Sequence, residues 1–312
     1  MNQLEKSVLA TIKYYDIFDY PLTGFEVFKY LINPVHLISK DSLEPIKKIK
    51  YLDILEILNK LKSVKEYNGF YFLKNRNIVD KRIKRQKISI KRWKKVKRII
   101  KVLKYVPFVK MISVCNGLAI NNSKKSADID LFIIIKKSRI FITRFLITFT
   151  VWAMGQWRHN NKISNKICLS FYITDDSLNL KSIKIQPFDI YLASWVFQLK
   201  PVYSVDNIYE RFIKENKWVE SYFFNYGKIL NKYYLDSKEP FLKKFFELIF
   251  NFNFIEKIFK FIQIKKMKKI DHSLETAVVV SDSMLKFHEN DKREFFQNKF
   301  NKSCCQSHKC RL

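Results

Sequence analysis

The chain has 312 residues, enough for a sizeable core and more than one domain. Its apolar content of 47% excludes a disordered or collagen-like chain, and its formal net charge of +30 leans toward anionic partners. Part of that charge belongs to a Lys-, Ile-, Asn- and Phe-rich composition with only 5 Gly, the imprint of an A·T-rich genome. The opening residues Met1 to Lys6 are polar, so no secretory leader is expected. Of the 5 Cys, Cys115 and Cys168 lie in apolar segments and read as buried free thiols in a reducing, cytoplasmic setting. The longest uncharged apolar run, Phe145 to Trp157, has 13 residues. A spanning helix needs about 20, so a buried core helix is expected there.

Residues 1–80 read as a small helical module. Leu4 to Tyr15 has helical spacing, and Tyr20-Pro21-Leu22 breaks it. Thr23 and Glu26 form a capping-box pattern ahead of Val27, Phe28 and Leu31. Leucines at 52, 55, 58 and 61 predict a third helix. Asn68-Gly69 between Val64–Tyr67 and Phe70–Leu73 predicts a hairpin. In order of elements the module resembles a winged helix, a fold that contacts DNA or a protein partner. Residues 81–104 carry only basic charges, with Ile83, Ile90, Trp93, Val96, Ile100 and Leu103 near helical spacing. This basic linker helix offers nucleic acid a surface through counterion release. It reads equally well as a solvated helix joining two modules.

Residues 105–187 carry the chemistry. Strands are expected at Phe108–Cys115, 129–135 and Ile167–Thr174, with a helix at Phe141–Trp157. Between the first two strands stand Asn116-Gly117-Leu118-Ala119 and Ser126-Ala127-Asp128-Ile129-Asp130-Leu131. Alternate strand residues share a face, so Asp128 and Asp130 can hold one hard divalent cation together. Magnesium favours a few carboxylates plus phosphate oxygens. The small-residue turn can bring backbone N–H groups up to those phosphates. The run resembles the signature of the polymerase β-type nucleotidyltransferase superfamily: a Gly-Ser turn, an Ala, then Ser-Asp-x-Asp-Leu. Here Asn116-Gly117 replaces Gly-Ser, Ile120 stands where Arg is common, and Ala127 is an extra residue. The resemblance implies two Mg2+ ions on Asp128 and Asp130 as catalytic ligands. It also implies a nucleoside triphosphate held near Asn116, Gly117 and Ser126. A third carboxylate is expected from Ile167–Thr174. By alternation Ile167, Leu169, Phe171 and Ile173 form one face and Cys168, Ser170 and Tyr172 the other, with no acid on either. Ser170 is the residue expected where the acid would stand. Asp175 or Asp176 serves only if the strand ends early.

Residues 188–300 read as mostly helical, with helices at Phe188–Leu199, Asn207–Glu215 and Trp218–Tyr234. Phe241 to Ile264 is expected to pack on the core, so a membrane surface is not an expected partner; an interfacial helix is the rival reading. Val280 to His288 reads as a docked terminal segment. Residues 301–312 read as a disordered tail, although Cys304, Cys305, His308 and Cys310 are zinc-ligand types. The expected fold class is α+β: a small nucleotidyltransferase sheet flanked by helices, after a winged-helix-like domain and before a mostly helical region. The expected function is magnesium-dependent transfer of a nucleoside monophosphate to a hydroxyl acceptor. The alternative is a degenerate nucleotide-binding protein whose winged helix contacts DNA or a protein.

Overall fold

The computed structural model of the chain describes residues 1–33, 49–76, 78–158, 163–230, 236–267, 278–287 and 291–305. Helix α1 (Gln3–Asp16) begins in a capping box between Asn2 and Glu5. Strand β1 (Leu22–Thr23) leads into α2 (Gly24–Lys29), where Thr23 and Glu26 satisfy each other's backbone N–H groups as the sequence predicts. Helix α3 (Tyr51–Lys60) and the hairpin β2 (Val64–Tyr67) and β3 (Phe70–Leu73) complete the unit. Asn68 and Gly69 both take positive φ, 52° and 78°, so two residues reverse the chain. The three strands pair antiparallel in the order β1-β3-β2.

Helix α4 (Val79–Leu103) leads into the second sheet, whose elements are β4 (Val109–Val114), α5 (Asn116–Ala119), β5 (Ile129–Ile135), α6 (Ile140–Ala153) and β6 (Ile167–Thr174). Then come α7 (Ile190–Gln198), β7 (Lys200–Ser204), α8 (Ile208–Glu215), α9 (Phe241–Phe250) and α10 (Asn253–Met267). The chain closes with β8 (Val278–Val280), β9 (Met284–Phe287) and α11 (Arg293–Cys305). The six strands lie in the order β7-β4-β5-β6-β9-β8. All neighbours are antiparallel except β5 and β6, whose parallel pairing requires the α6 crossover. The fold is therefore α+β, a mixed sheet covered by helices. The central strand β5 is apolar almost throughout because both its faces are covered. Phe132 and Ile134 join a core with α1, α7 and α8, while Ile133 and Ile135 join another with α4 and α6.

Several expectations need correction. Among the described residues the region after 188 is mostly helical as expected, but it also supplies β7, β9 and β8 to the sheet. The helix expected at Trp218–Tyr234 does not form over its described part, 218–230. A short 3-10 segment ends at Ser221, turns follow to 229, and 231–235 lie outside the described residues. Phe241–Ile264 breaks at Asn251-Phe252 into α9 and α10. The segment expected to dock as a terminus is strand β9, with His288 outside the described residues. Residues 301–305 continue α11 instead of opening a disordered tail, and 306–312, with His308 and Cys310, lie outside the described residues. Helix α6 buries only one face, leaving Phe145, Phe149 and Trp152 exposed. Finally, strict alternation fails in β6. Pairing steps from Asp130↔Cys168 to Phe132↔Phe171, so β6 carries one residue more than β5 over that interval. No helix among the described residues is long and apolar enough to cross a membrane.

Candidate active site

Asp128 precedes β5 and Asp130 is its second residue. Their carboxylates and the thiol of Cys168, cross-strand from Asp130, bring their ligand atoms within 4.8 Å of one another. Burial, and then the charge of Asp128, push the Asp130 carboxyl up to about 6; bonds to Asn116 and Cys168 offset part of that. Burial, and then Asp130, push the Cys168 thiol up to about 12. Arg158 Nη1 donates to Asp128 Oδ2 at 2.8 Å and to Cys168 Sγ at 3.4 Å.

Two cavities meet at these carboxylates. The first, of about 340 Å³, is lined by Gly117, Asn122, Ser123 and Lys124 and by the aromatic residues Phe18, Tyr191 and Phe296. Tyr191 stacks on Phe296 with centroids 5.2 Å apart, and Phe18 lies 4.8 Å from the same ring. The second, of about 600 Å³, is lined by Arg158, Ser170, Lys286, Asp291, Lys292 and Arg293. Asn116, Tyr191 and Trp195 border both. The Lys286 ammonium is pushed down to about 8, first by burial and then by Arg293.

The turn before β5 is tight. Asn116 sits at φ 56°, a conformation Asn tolerates better than most side chains. Gly117 O accepts from Asn122 N at 2.6 Å, and a Cβ on Gly117 would come within 3.2 Å of Asn122 O. A glycine there lets the loop close. Behind the loop, one face of α4 holds it residue by residue. Arg82 Nη1 donates to Ile120 O at 3.0 Å and Arg85 Nη1 to Asn122 Oδ1 at 3.1 Å. Ser89 Oγ accepts from Ser123 N at 3.1 Å. Arg92 Nη2 donates to Lys125 O at 3.0 Å and Ala127 O at 2.7 Å. Positions 82, 85, 89 and 92 share one side of a helix, so successive turns grip successive parts of the loop. These arginines are buried. The basic charges of 81–104 therefore divide between two faces: Arg82, Arg85 and Arg92 turn inward, while Lys81, Lys84, Lys87, Lys91, Lys94, Arg98 and Lys101 form an exposed stripe.

No protein-family model, curated protein or solved structure matches the chain.

The expected residues divide. Asp128, Asp130, Asn116 and Gly117 come together at the cavities. Ser126 is exposed and lines neither; Ser123 lines the first instead, buried with its Oγ unpartnered. Cys168, not Ser170, stands opposite Asp130 and completes the cluster with the two carboxylates, because the strands pair Ile129 with Ile167 and Asp130 with Cys168. Asp175 and Asp176 are at the far end of the sheet. Asp175 N bonds Ile135 O, its Oδ1 accepts from Lys137 N, and Asp176 pairs with Lys137. The sequence reading also missed Arg92, Lys286 and Arg293. Only the placement of hydrophobic residues around Arg92 marks it as inward-facing, and nothing local marks the other two.

Proposed function

We propose that the chain is a polymerase β-type nucleotidyltransferase that moves a nucleoside monophosphate from a nucleoside triphosphate to a hydroxyl of an anionic acceptor. One observation carries this reading: Asp128 and Asp130 stand where two cavities meet. A phosphorus atom bound there is open to attack from one cavity while its leaving group lies in the other. The two carboxylates fit a magnesium ion that completes its shell with phosphate oxygens and water. Bound there, the ion would neutralise phosphate charge and lower the pKa of an attacking hydroxyl. Cys168 is a soft donor that suits manganese or zinc better than a second magnesium.

The chain's own residues would do the rest. Phe18, Tyr191 and Phe296 give a base aromatic faces. Ser123 and Lys124 lie beside the Gly117 turn, where the phosphates would sit. Arg158, Lys286 and Arg293 make the second cavity cationic. The winged-helix-like unit contributes Tyr14, Ile17 and Phe18 to the first cavity, which supports a role as part of the site's wall. A reducing, cytoplasmic setting would keep the Cys168 thiol reduced.

A second reading, a degenerate nucleotide binder, is favoured by Cys168 in the third-ligand position and by Arg158 on Asp128. Pyrophosphate release from each nucleoside triphosphate, with Mg2+ or Mn2+, decides between them. The expected result is release that falls at least ~100-fold in Asp128→Asn/Asp130→Asn, the scale of removed transition-state charge stabilisation. Metal-dependent nucleotide binding without release establishes the second reading. No nucleotide binding at all overturns both.

A further inference from the structure

Helices α9 and α10 are built inside out. On α9, Lys243 is fully buried: its Nζ donates to Val109 O at 2.6 Å and to Glu239 Oε1 at 2.8 Å. Glu247, one turn on, accepts from Phe108 N at 2.7 Å. On α10, Glu256 accepts from Phe141 N and Ile142 N at 2.9 and 3.0 Å, capping the start of α6. Gln263 bonds Phe141 O and Arg144. Ile255, Phe259 and Ile264 of α10 also pack inward. The outward residues are the large apolar ones. Phe241 is 84% exposed, Leu248 73% and Phe261 75%, with Phe245, Phe254 and Ile258 between them. The patch continues onto α6, where Phe145 meets Phe259 at 4.5 Å and Phe149 and Trp152 stand exposed beyond it. Soluble proteins rarely leave contiguous apolar patches larger than a few hundred Å² without a partner for them.

Charge chooses among partners. Among the described residues of α9 and α10 the exposed charges are all lysines: Lys244, Lys257 and Lys265. A second copy would bring +30 against +30. An anionic lipid surface accepts both features, with apolar side chains at the acyl boundary and lysines among the headgroups. We infer that the face formed by α6, α9 and α10 docks the protein in-plane on a membrane rich in anionic lipid, without spanning it.

The test is co-sedimentation of the full chain with phosphatidylcholine vesicles, with and without phosphatidylglycerol. The triple variant Phe245→Asn/Leu248→Asn/Phe261→Asn removes apolar anchors that the fold leaves in solvent, and circular dichroism checks that it stays folded. Wild type is expected to bind the anionic vesicles and to keep part of that binding at high salt. Its fluorescence should be quenched by brominated lipid, mostly through Trp152, so that Trp152→Phe removes most of the quenching. The triple variant should bind at least ~10-fold more weakly and lose all binding at high salt. Should that variant fail to fold, Lys244→Glu/Lys257→Glu, which leaves the apolar residues in place, should also weaken binding severalfold. Three outcomes overturn the inference: equal binding by wild type and the triple variant, wild-type binding abolished by salt alone, or a stable wild-type dimer by light scattering that ignores vesicles.

Discussion

Lys286 is 2% exposed, yet it lines the larger cavity. Its folded pKa of about 8 lies below the usual lysine value, so the charged form is disfavoured in the fold. Below pH 8 both folded and unfolded chains hold the proton, and the fold bears the whole penalty. Between about 8 and ~10.4 only the unfolded chain holds it, so stability rises with pH; above that range the penalty is gone. Lys286→Met should therefore stabilise the protein at pH 7 by about 1–2 kcal/mol, with the gain vanishing near pH 10.5. Urea unfolding of both proteins across that range measures it. Cys168 makes a second residue-scale prediction. Under the transferase reading, Cys168→Asp supplies the third carboxylate and should raise Mg2+-supported pyrophosphate release at least ~10-fold. Ser170→Asp and Asp176→Asn should leave it unchanged, and an equal gain from Ser170→Asp would contradict the pairing of Cys168 with Asp130. Asp128 and Asp130 were legible because a two-residue period survives at the start of a strand. Cys168 was legible only as sharing a face with Ser170; which of the two stands opposite Asp130 depends on the strand register, which a run as apolar as Ile167 to Ile173 does not fix.

Helix α4 shows what a charge run conceals. Its length and borders were readable from spacing, but basic composition does not say which side chains face in. Arg82, Arg85 and Arg92 bury because a planar guanidinium can hand several N–H groups to backbone and side-chain oxygens at once, while Arg98 points outward. The lysines stay in water. Two substitutions separate the faces. Arg92→Ala removes both bonds to the loop before Asp128 and should weaken Mg2+–nucleotide binding by about 10-fold in calorimetry while the helix content stays, the scale of one charged hydrogen-bond donor. Lys91→Gln/Lys94→Gln/Arg98→Gln should leave nucleotide affinity alone. If nucleic acid is the anionic acceptor, that triple variant should make the log–log salt dependence of its binding shallower, by ~0.7 for each single-strand phosphate it ceases to neutralise. An unchanged slope removes α4 from any such surface.

At the scale of the whole molecule, the amino-terminal unit and the sheet share one core. Tyr30 packs edge-on against Phe197 at 5.3 Å, and Gln198 Nε2 donates to the Tyr15 hydroxyl at 2.7 Å. Backbone bonds tie Phe224 N to Leu31 O and Asn33 N to Tyr222 O. The two parts should melt as one cooperative unit. Calorimetry should give a single transition, and Tyr30→Ala should lower it by about 3–5 kcal/mol of stability. Two separated transitions, only one of them moved by Tyr30→Ala, would show that the parts fold alone. The unit's helices and hairpin were legible from helical spacing, the Thr23–Glu26 capping box and the Asn-Gly turn. The sheet's outer strands were not. Pro201 reads as a helix stop, and it is tolerated in β7 because that strand is an edge and needs fewer ladder donors. Strands as short as Val278–Val280 and Met284–Phe287 carry too little pattern to stand out.

The extra residue in β6 also constrains how this chain can change by descent. It gives the strand two phases, one for Ile167 and Cys168 beside the carboxylates and another for Phe171 to Thr174 in the cores. Point substitution at 168 leaves the second phase untouched, so a lineage can exchange thiol for acid there in one step. Loss of a single residue at 169 or 170 is a different event. It removes the bulge and lets Cys168 stay opposite Asp130 and Phe171 opposite Phe132 in plain alternation. Inheritance in this strand is thus permissive toward replacement at 168 and toward loss of the extra residue, and closed to shortening within Phe171 to Thr174, where a one-residue slip would exchange the two cores.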